Sequence, residues 1–147
     1  MPPSYPEREH TLGSLLRQPY HAMQQRMYTA LAEQGFDDLR AAHSAVFRHI
    51  EPGGSRVTDL AARAGMTKQS MSYLVDTLVP SYLAIVPDPA DGRAKLVRLT
   101  ARGQQGMDAM IDLSAQFERD LAHRIGAAKI RQLRGLLEEV AAAFDPD

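Results

Sequence analysis

Residues 67–73 read Thr67, Lys68, Gln69, Ser70, Met71, Ser72, Tyr73. Apart from Met71, each can pair with or hydrogen-bond to a polyanion. A lysine ammonium neutralises phosphate, a glutamine amide can bond an adenine edge in two places, and serine serves bases or phosphates. Asp76 falls on the same side. A second group, Asp91, Arg93 and Lys95, sits in the run PDPADGRAK. Arginine in such a place suits DNA backbone or minor groove, with Asp91 either pairing with Arg93 or orienting it. The same residue types could also line a solvated helix and an ordinary exposed hairpin. Enzyme chemistry is not indicated. There is no phosphate-cradling glycine loop, metal-ligand cluster or nucleophile motif. The histidines, His10, His21, His43, His49 and His123, include no i, i+4 pair, so no metal or other cofactor is expected. His43 and Ser44 are adjacent but lie beside apolar positions, which reads as structural.

The elements that must carry these groups can be read from periodicity. In Val57–Leu78, Val57, Leu60, Ala61 and Ala64 form one apolar stripe, and Met71, Leu74, Val75 and Leu78 another. Thr58 and Thr67 are candidate caps, and Gly65 a candidate stop in left-handed geometry. Two short helices about a glycine turn predict a helix-turn-helix. The polar group at 67–73 then opens its second helix, the end that enters a major groove. Pro80 ends that helix and makes Val79 extended. YLAIV and KLVRL are β-rich flanks of a hairpin with a long tip, PDPADGRA. A basic hairpin after a recognition helix is a wing.

Leu12, Leu15, Leu16, Met23, Met27 and Leu31 trace a first helix, with a kink or start near Pro19 and a stop at Gly35. Phe36, Leu39, Val46, Phe47 and Ile50 trace a second, ended by Pro52-Gly53-Gly54. After Thr100, stripes from Met107 to Ile125 and from Ile130 to Phe144 mark two more helices about Gly126. These exceed what a small winged domain needs, and with the first helix predict a homodimer interface.

Bulk properties narrow the class. The chain has 147 residues, no cysteine and a net charge of −1. Disulfides, zinc fingers and thiol sensing are excluded. No apolar run approaches the roughly 20 residues of a membrane span, and the start, MPPSYPEREH, lacks a signal-peptide core. A cytoplasmic protein without membrane partners is the expectation. Between Arg56 and Arg102 seven basic and four acidic residues leave +3 locally and −4 elsewhere. A basic centre in an acidic chain suits a protein that presents one face to DNA.

VTDLAARAGMTKQSMSYLVDTL, and still more PDPADGRAKLVRLTARG, resemble the multiple antibiotic resistance regulator (MarR) family of winged-helix transcription factors. The resemblance covers about residues 12–144. One departure is VPSYLAIV before the wing, with proline and serine where the family has a glycine turn. The resemblance implies a mainly α fold with a small β wing, a winged helix-turn-helix with N- and C-terminal dimerisation helices. Residues 1–10 would be a flexible tail, 11–35 and 101–147 the dimerisation region, and 36–100 the DNA-binding region. It implies a homodimer on pseudo-palindromic double-stranded DNA, acting as a repressor relieved by a small aromatic or lipophilic effector. By analogy Tyr20, Met23, Met27, His43 and Phe47 would line the effector crevice. The rival reading is a winged-helix module for protein–protein assembly without specific DNA binding.

Overall fold

The computed structural model describes residues 6–145. Residues 1–5 of the stretch read as a tail lie outside them, and Pro6–His10 form a 3-10 helix. The chain divides into two compact units, Met1–Met110 and Ile111–Asp147. Helix α1 (Leu12–Glu33) starts where the Thr11 hydroxyl accepts the Ser14 backbone N–H at 3.2 Å. It runs through Pro19 rather than beginning there. Its end is closed by Gly35 at φ 95°, which lets the Phe36 N–H reach back to the Leu31 carbonyl at 2.9 Å. That bond, with the burial of both Leu31 and Phe36, seals the helix terminus.

Phe36 to Ile50 do not form the single helix that their spacing predicts. Phe36 and Leu39 are buried in an irregular segment, followed by a 3-10 turn (Ala41–His43) and the short α2 (Ser44–His49). Their apolar character reflects burial against other elements, which a helical period cannot separate from helix. Helices α3 (Val57–Ala64) and α4 (Lys68–Leu78) follow. Gly65 at φ 64°, ψ 33° ends α3, and the Thr67 hydroxyl caps α4 by accepting the Ser70 N–H at 3.1 Å. Thr58 does not cap α3, because the cap position is Arg56, one residue before Val57. Leu60 and Ala61 of α3 and Met71, Leu74, Val75 and Leu78 of α4 are buried, so the two predicted stripes meet in one core.

Val79 is extended and ends α4 before Pro80. Strands β1 (Leu83–Asp88) and β2 (Asp91–Leu99) form an antiparallel hairpin. Its connection is Pro89-Ala90 alone, shorter than the long tip read from sequence. The strands pair from Leu83↔Leu99 to Pro87↔Lys95, then jump to Asp88↔Asp91. Pro87 has no N–H to give the ladder there, and Gly92, Arg93 and Ala94 bulge on the opposite strand. Ser55 adds a short third edge, exchanging two backbone hydrogen bonds of 2.9 and 2.8 Å with Val97. Helix α5 (Ala101–Ile125) opens where the Thr100 hydroxyl accepts the Gly103 N–H at 3.0 Å.

In the second unit α5 completes its length and α6 (Ala127–Phe144) follows a break at Gly126, φ 104°. Arg134 of α6 donates to both carboxylate oxygens of Glu118 of α5 at 2.8 and 2.9 Å. Among the described residues no helix is long and apolar enough to cross a membrane.

Candidate nucleic-acid interface

Helix α4 turns one face inward through Met71, Leu74 and Val75, and the period of 3.6 residues forces the positions between them outward. Thr67, Lys68, Gln69 and Ser70 are exposed, Ser72 is half-buried, and Tyr73 is 71% exposed although it is a large aromatic. All lie within the first two turns. The N-terminal backbone there carries unpaired N–H groups and the positive end of the helix dipole, an arrangement that favours phosphate. Leaving the Tyr73 ring in water forgoes the apolar burial that a partner surface would supply.

On the wing Asp91, Arg93 and Lys95 are exposed, with Arg93 on the bulge. Asp91 does not pair with the Arg93 guanidinium. Its Oδ1 accepts the Arg93 backbone N–H at 3.1 Å, so it shapes the chain beneath the arginine and leaves the charge outward. Among the described residues Lys68, Arg93 and Lys95 have no acidic partner.

Two features escaped the sequence reading. Arg56 donates through Nε (3.1 Å) and Nη2 (2.8 Å) to Oδ2 of Asp88, while Asp88 Oδ1 accepts the Ala90 N–H at 2.9 Å. The Ala90 N–H and the Arg56 guanidinium hold the Asp88 carboxyl below its usual range. The turn at Asp88-Pro89-Ala90 is a local pattern that sequence could have shown. Arg56, 32 positions away, leaves no such trace. The second feature is Tyr82. It is 1% exposed, its hydroxyl donates to Asp38, and the Arg102 guanidinium lies 5.2 Å from its ring and 5.0 Å from that of Phe36. Burial pushes its phenol up to about 12.

The five residues expected at an effector crevice are not brought together. Tyr20 lines a cavity of about 470 Å³ between α1 and α2, with Arg17, His21, Gln24, Ser44 and Arg48. Its hydroxyl accepts from Arg48 at 2.8 Å and from Gln24 at 2.6 Å, and the arginine draws its phenol below the ordinary value. Met23 is exposed and Met27 half-buried on α1. Phe47 packs edge-on against Tyr82 in the core. His43 is buried: its Nδ1 accepts the Arg40 N–H at 2.9 Å, which leaves Nε2 to donate to the Thr77 hydroxyl at 2.9 Å.

Comparison with known proteins agrees with this architecture. The sequence profile of the MarR family matches residues 37–94. MarR from E. coli in its reduced form is similar at 20% identity and TM-score 0.74, over 88% of this chain and 96% of that one. A MarR-family transcriptional regulator from Rhodococcus sp. RHA1 is similar at 25% identity and TM-score 0.65, over 88% and 93%. S. aureus MepR in its DNA complex is similar at 20% identity and TM-score 0.70, over 91% and 98%. No curated protein matches the chain. The matched segment spans the helix-turn-helix and the wing as far as Arg93 and Ala94, and over that segment the chain is similar to the MarR family of winged-helix transcriptional regulators.

Proposed function

We propose that this protein is a MarR-type DNA-binding transcriptional regulator, a homodimer that represses from a pseudo-palindromic operator, with Thr67, Lys68, Gln69, Ser70, Ser72 and Tyr73 at the major groove and Asp91, Arg93 and Lys95 on the flank. One observation carries the reading: the exposed first two turns of α4 and the bulged wing present three cations that no acid within the described chain neutralises. Gln69 reads a base edge, and Arg93 and Lys95 anchor to phosphate or minor groove. The homodimer is supported by the apolar faces left open on the terminal helices. Leu12, Leu15 and Tyr20 of α1, and Leu133, Leu136 and Phe144 of α6, are each at least 45% exposed. A second copy would cover such faces by two-fold symmetry, and two recognition helices would then read half-sites roughly 10–10.5 bp apart.

Effector relief is assigned to the cavity between α1 and α2. Arg17 and Arg48 give it positive charge, and Tyr20 offers a ring and a hydroxyl. An aromatic carboxylate suits that lining, since Arg48 presents a planar donor fork. Selection of bound duplex from a random pool tests the whole reading. A recovered pseudo-palindrome bound less tightly as salt rises, and less tightly again with an aromatic carboxylate, is the expected result. Recovery of a single asymmetric site bound by one chain would refute the dimer.

A further inference from the structure

Among the described residues, two hydrogen-bonded links tie the strands of the wing to the residues that open α3. The first is the backbone bridge between Ser55 and Val97, near the base. The second is the Arg56–Asp88 ion pair, at the tip end of β1. We propose that Arg56 and Asp88 are positioning residues for the wing: their ion pair sets the angle at which Arg93 and Lys95 meet the DNA beside the recognition helix. This role rests on the wing's contact with DNA proposed above.

The geometry supports a mechanical role. Val97 pairs with Ile85, and Asp88 lies three residues farther along β1, an arm of roughly 10 Å at about 3.3 Å per residue. A hairpin pinned only at its base can pivot. Rotation by about 10° over that arm moves the tip roughly 2 Å, more than the roughly 0.5 Å range of distances a hydrogen bond tolerates. Asp88 is suited to stop the pivot. Its side chain is only 10% exposed, and its two oxygens hold different elements. Oδ1 secures the tip turn through Ala90, and Oδ2 secures the start of α3 through Arg56. Asp88 also stands opposite the bulge that displays Arg93. Arg56 is the cap residue of α3, and its own side chain caps nothing there. The guanidinium is committed to the wing instead, where it neutralises the Asp88 carboxylate.

The test is a double-mutant cycle on the full chain: Arg56→Gln, Asp88→Asn, and both together. The probe is a duplex selected from a random pool by the wild-type protein. Asparagine at 88 retains an acceptor for the Ala90 N–H, so the cycle isolates the ion pair. Each single variant should bind about 3- to 10-fold more weakly, and the double should be no weaker than the worse single, as for coupled neighbours. Hydroxyl-radical protection at the flanks should shrink while the base preference set by α4 is unchanged. In the DNA-free protein, amides from Ala90 to Ala94 should exchange faster in either variant, with those of Ser55 and Val97 still protected. Tighter binding by Asp88→Asn would overturn the proposal, because repulsion would then outweigh positioning. Losses that multiply in the double variant would also overturn it, since Arg56 would then be an independent phosphate contact. A wild-type chain that selected no duplex would refute the operator reading alone, and unchanged tip exchange would refute the clamp by itself.

Discussion

Two glycines three positions apart in the first turns of α5 should respond oppositely to alanine. Both are buried beside Tyr82. A Cβ on Gly103 would stand 2.1 Å from the Tyr82 carbonyl oxygen, 3.0 Å from its carbon and 3.2 Å from Leu99 Cδ2. Carbon–oxygen contacts normally begin near about 3.3 Å, so backbone must move by about 1 Å. The oxygen in the way already accepts the Thr100 N–H at 3.0 Å, and displacing it loosens that bond. Overpacking costs about 1–3 kcal/mol and the weakened hydrogen bond about 1 kcal/mol, against at most about 1 kcal/mol gained from alanine over glycine in a helix. Gly103→Ala should therefore destabilise by about 1–3 kcal/mol, which lowers Tm by about 3–10 °C for a chain of this size. At Gly106 the nearest atoms, Leu39 Cδ1 and the Tyr82 ring, would be 3.8 Å from the new methyl, an ordinary contact. Gly106→Ala should stabilise by up to about 1 kcal/mol. Urea unfolding of both variants and wild type at one protein concentration, with calorimetric Tm, makes the comparison; fixing the concentration removes any contribution from association. Shifts of both variants in the same direction would refute the reasoning. So would a Gly103→Ala protein of wild-type stability, which would mean that Tyr82 and α5 do not touch as described.

Gln69→Ala should cost about 1–3 kcal/mol at one preferred base and leave the salt slope unchanged, whereas Arg93→Ala should weaken all sequences evenly and reduce the slope by about one for each phosphate no longer neutralised; titrations on matched and mismatched duplexes separate the two. His43 should make folding stability fall in mild acid. Burial and then the Arg40 charge hold its folded value below the ordinary 6.5, so its contribution is complete above that pH and is lost as pH falls through the folded value, where the unfolded chain binds more protons. Urea unfolding at pH 8, 6.5 and 5 should show that loss in the wild type and a flatter profile in His43→Gln. Leu136→Glu, at a position 51% exposed in the single chain, should yield folded monomer by light scattering; a dimer of unchanged affinity would place the interface elsewhere.

Several boundaries set by a local residue were legible in the sequence. Thr67, Gly65, Thr100 and Gly126 act through atoms within a few residues of themselves, so their chemistry appears in the residue order. Phe36 and Leu39 misled because a period of three or four residues reports burial whatever buries the side chain. Here it is Arg102 and Tyr82 that cover Phe36, from 66 and 46 positions away. The wing tip misled for a different reason. Polar residues at Asp91 and Arg93 look like loop, yet they continue a strand because both faces of a hairpin tip meet solvent. Arg56–Asp88 and Tyr82–Asp38 are pairings across the fold, and neither partner is unusual for its own surroundings in the chain.

Tyr82 shows how such a distant pairing ties the reading head to the rest of its unit. Its N–H donates to the Leu78 carbonyl at 2.8 Å, the last residue of α4, and its carbonyl accepts from Thr100 at 3.0 Å, immediately before α5. The hydroxyl reaches Asp38 in the segment after α1, and the ring lies between Phe47, Phe36 and the Arg102 guanidinium. Arg102 in turn donates to the Gly35 carbonyl at 2.8 Å, at the end of α1. The end of α4, the start of β1, the start of α5 and the end of α1 therefore converge on one buried residue. Because Tyr82 is 1% exposed and both its N–H and its hydroxyl are taken, it cannot shift without leaving one of those buried groups unpaired, which costs about 1–3 kcal/mol per group. Tyr82 thus joins α1, α4 and α5 at the base of the wing, and the absence of a side chain at Gly103 is what allows α5 to lie so close to its carbonyl.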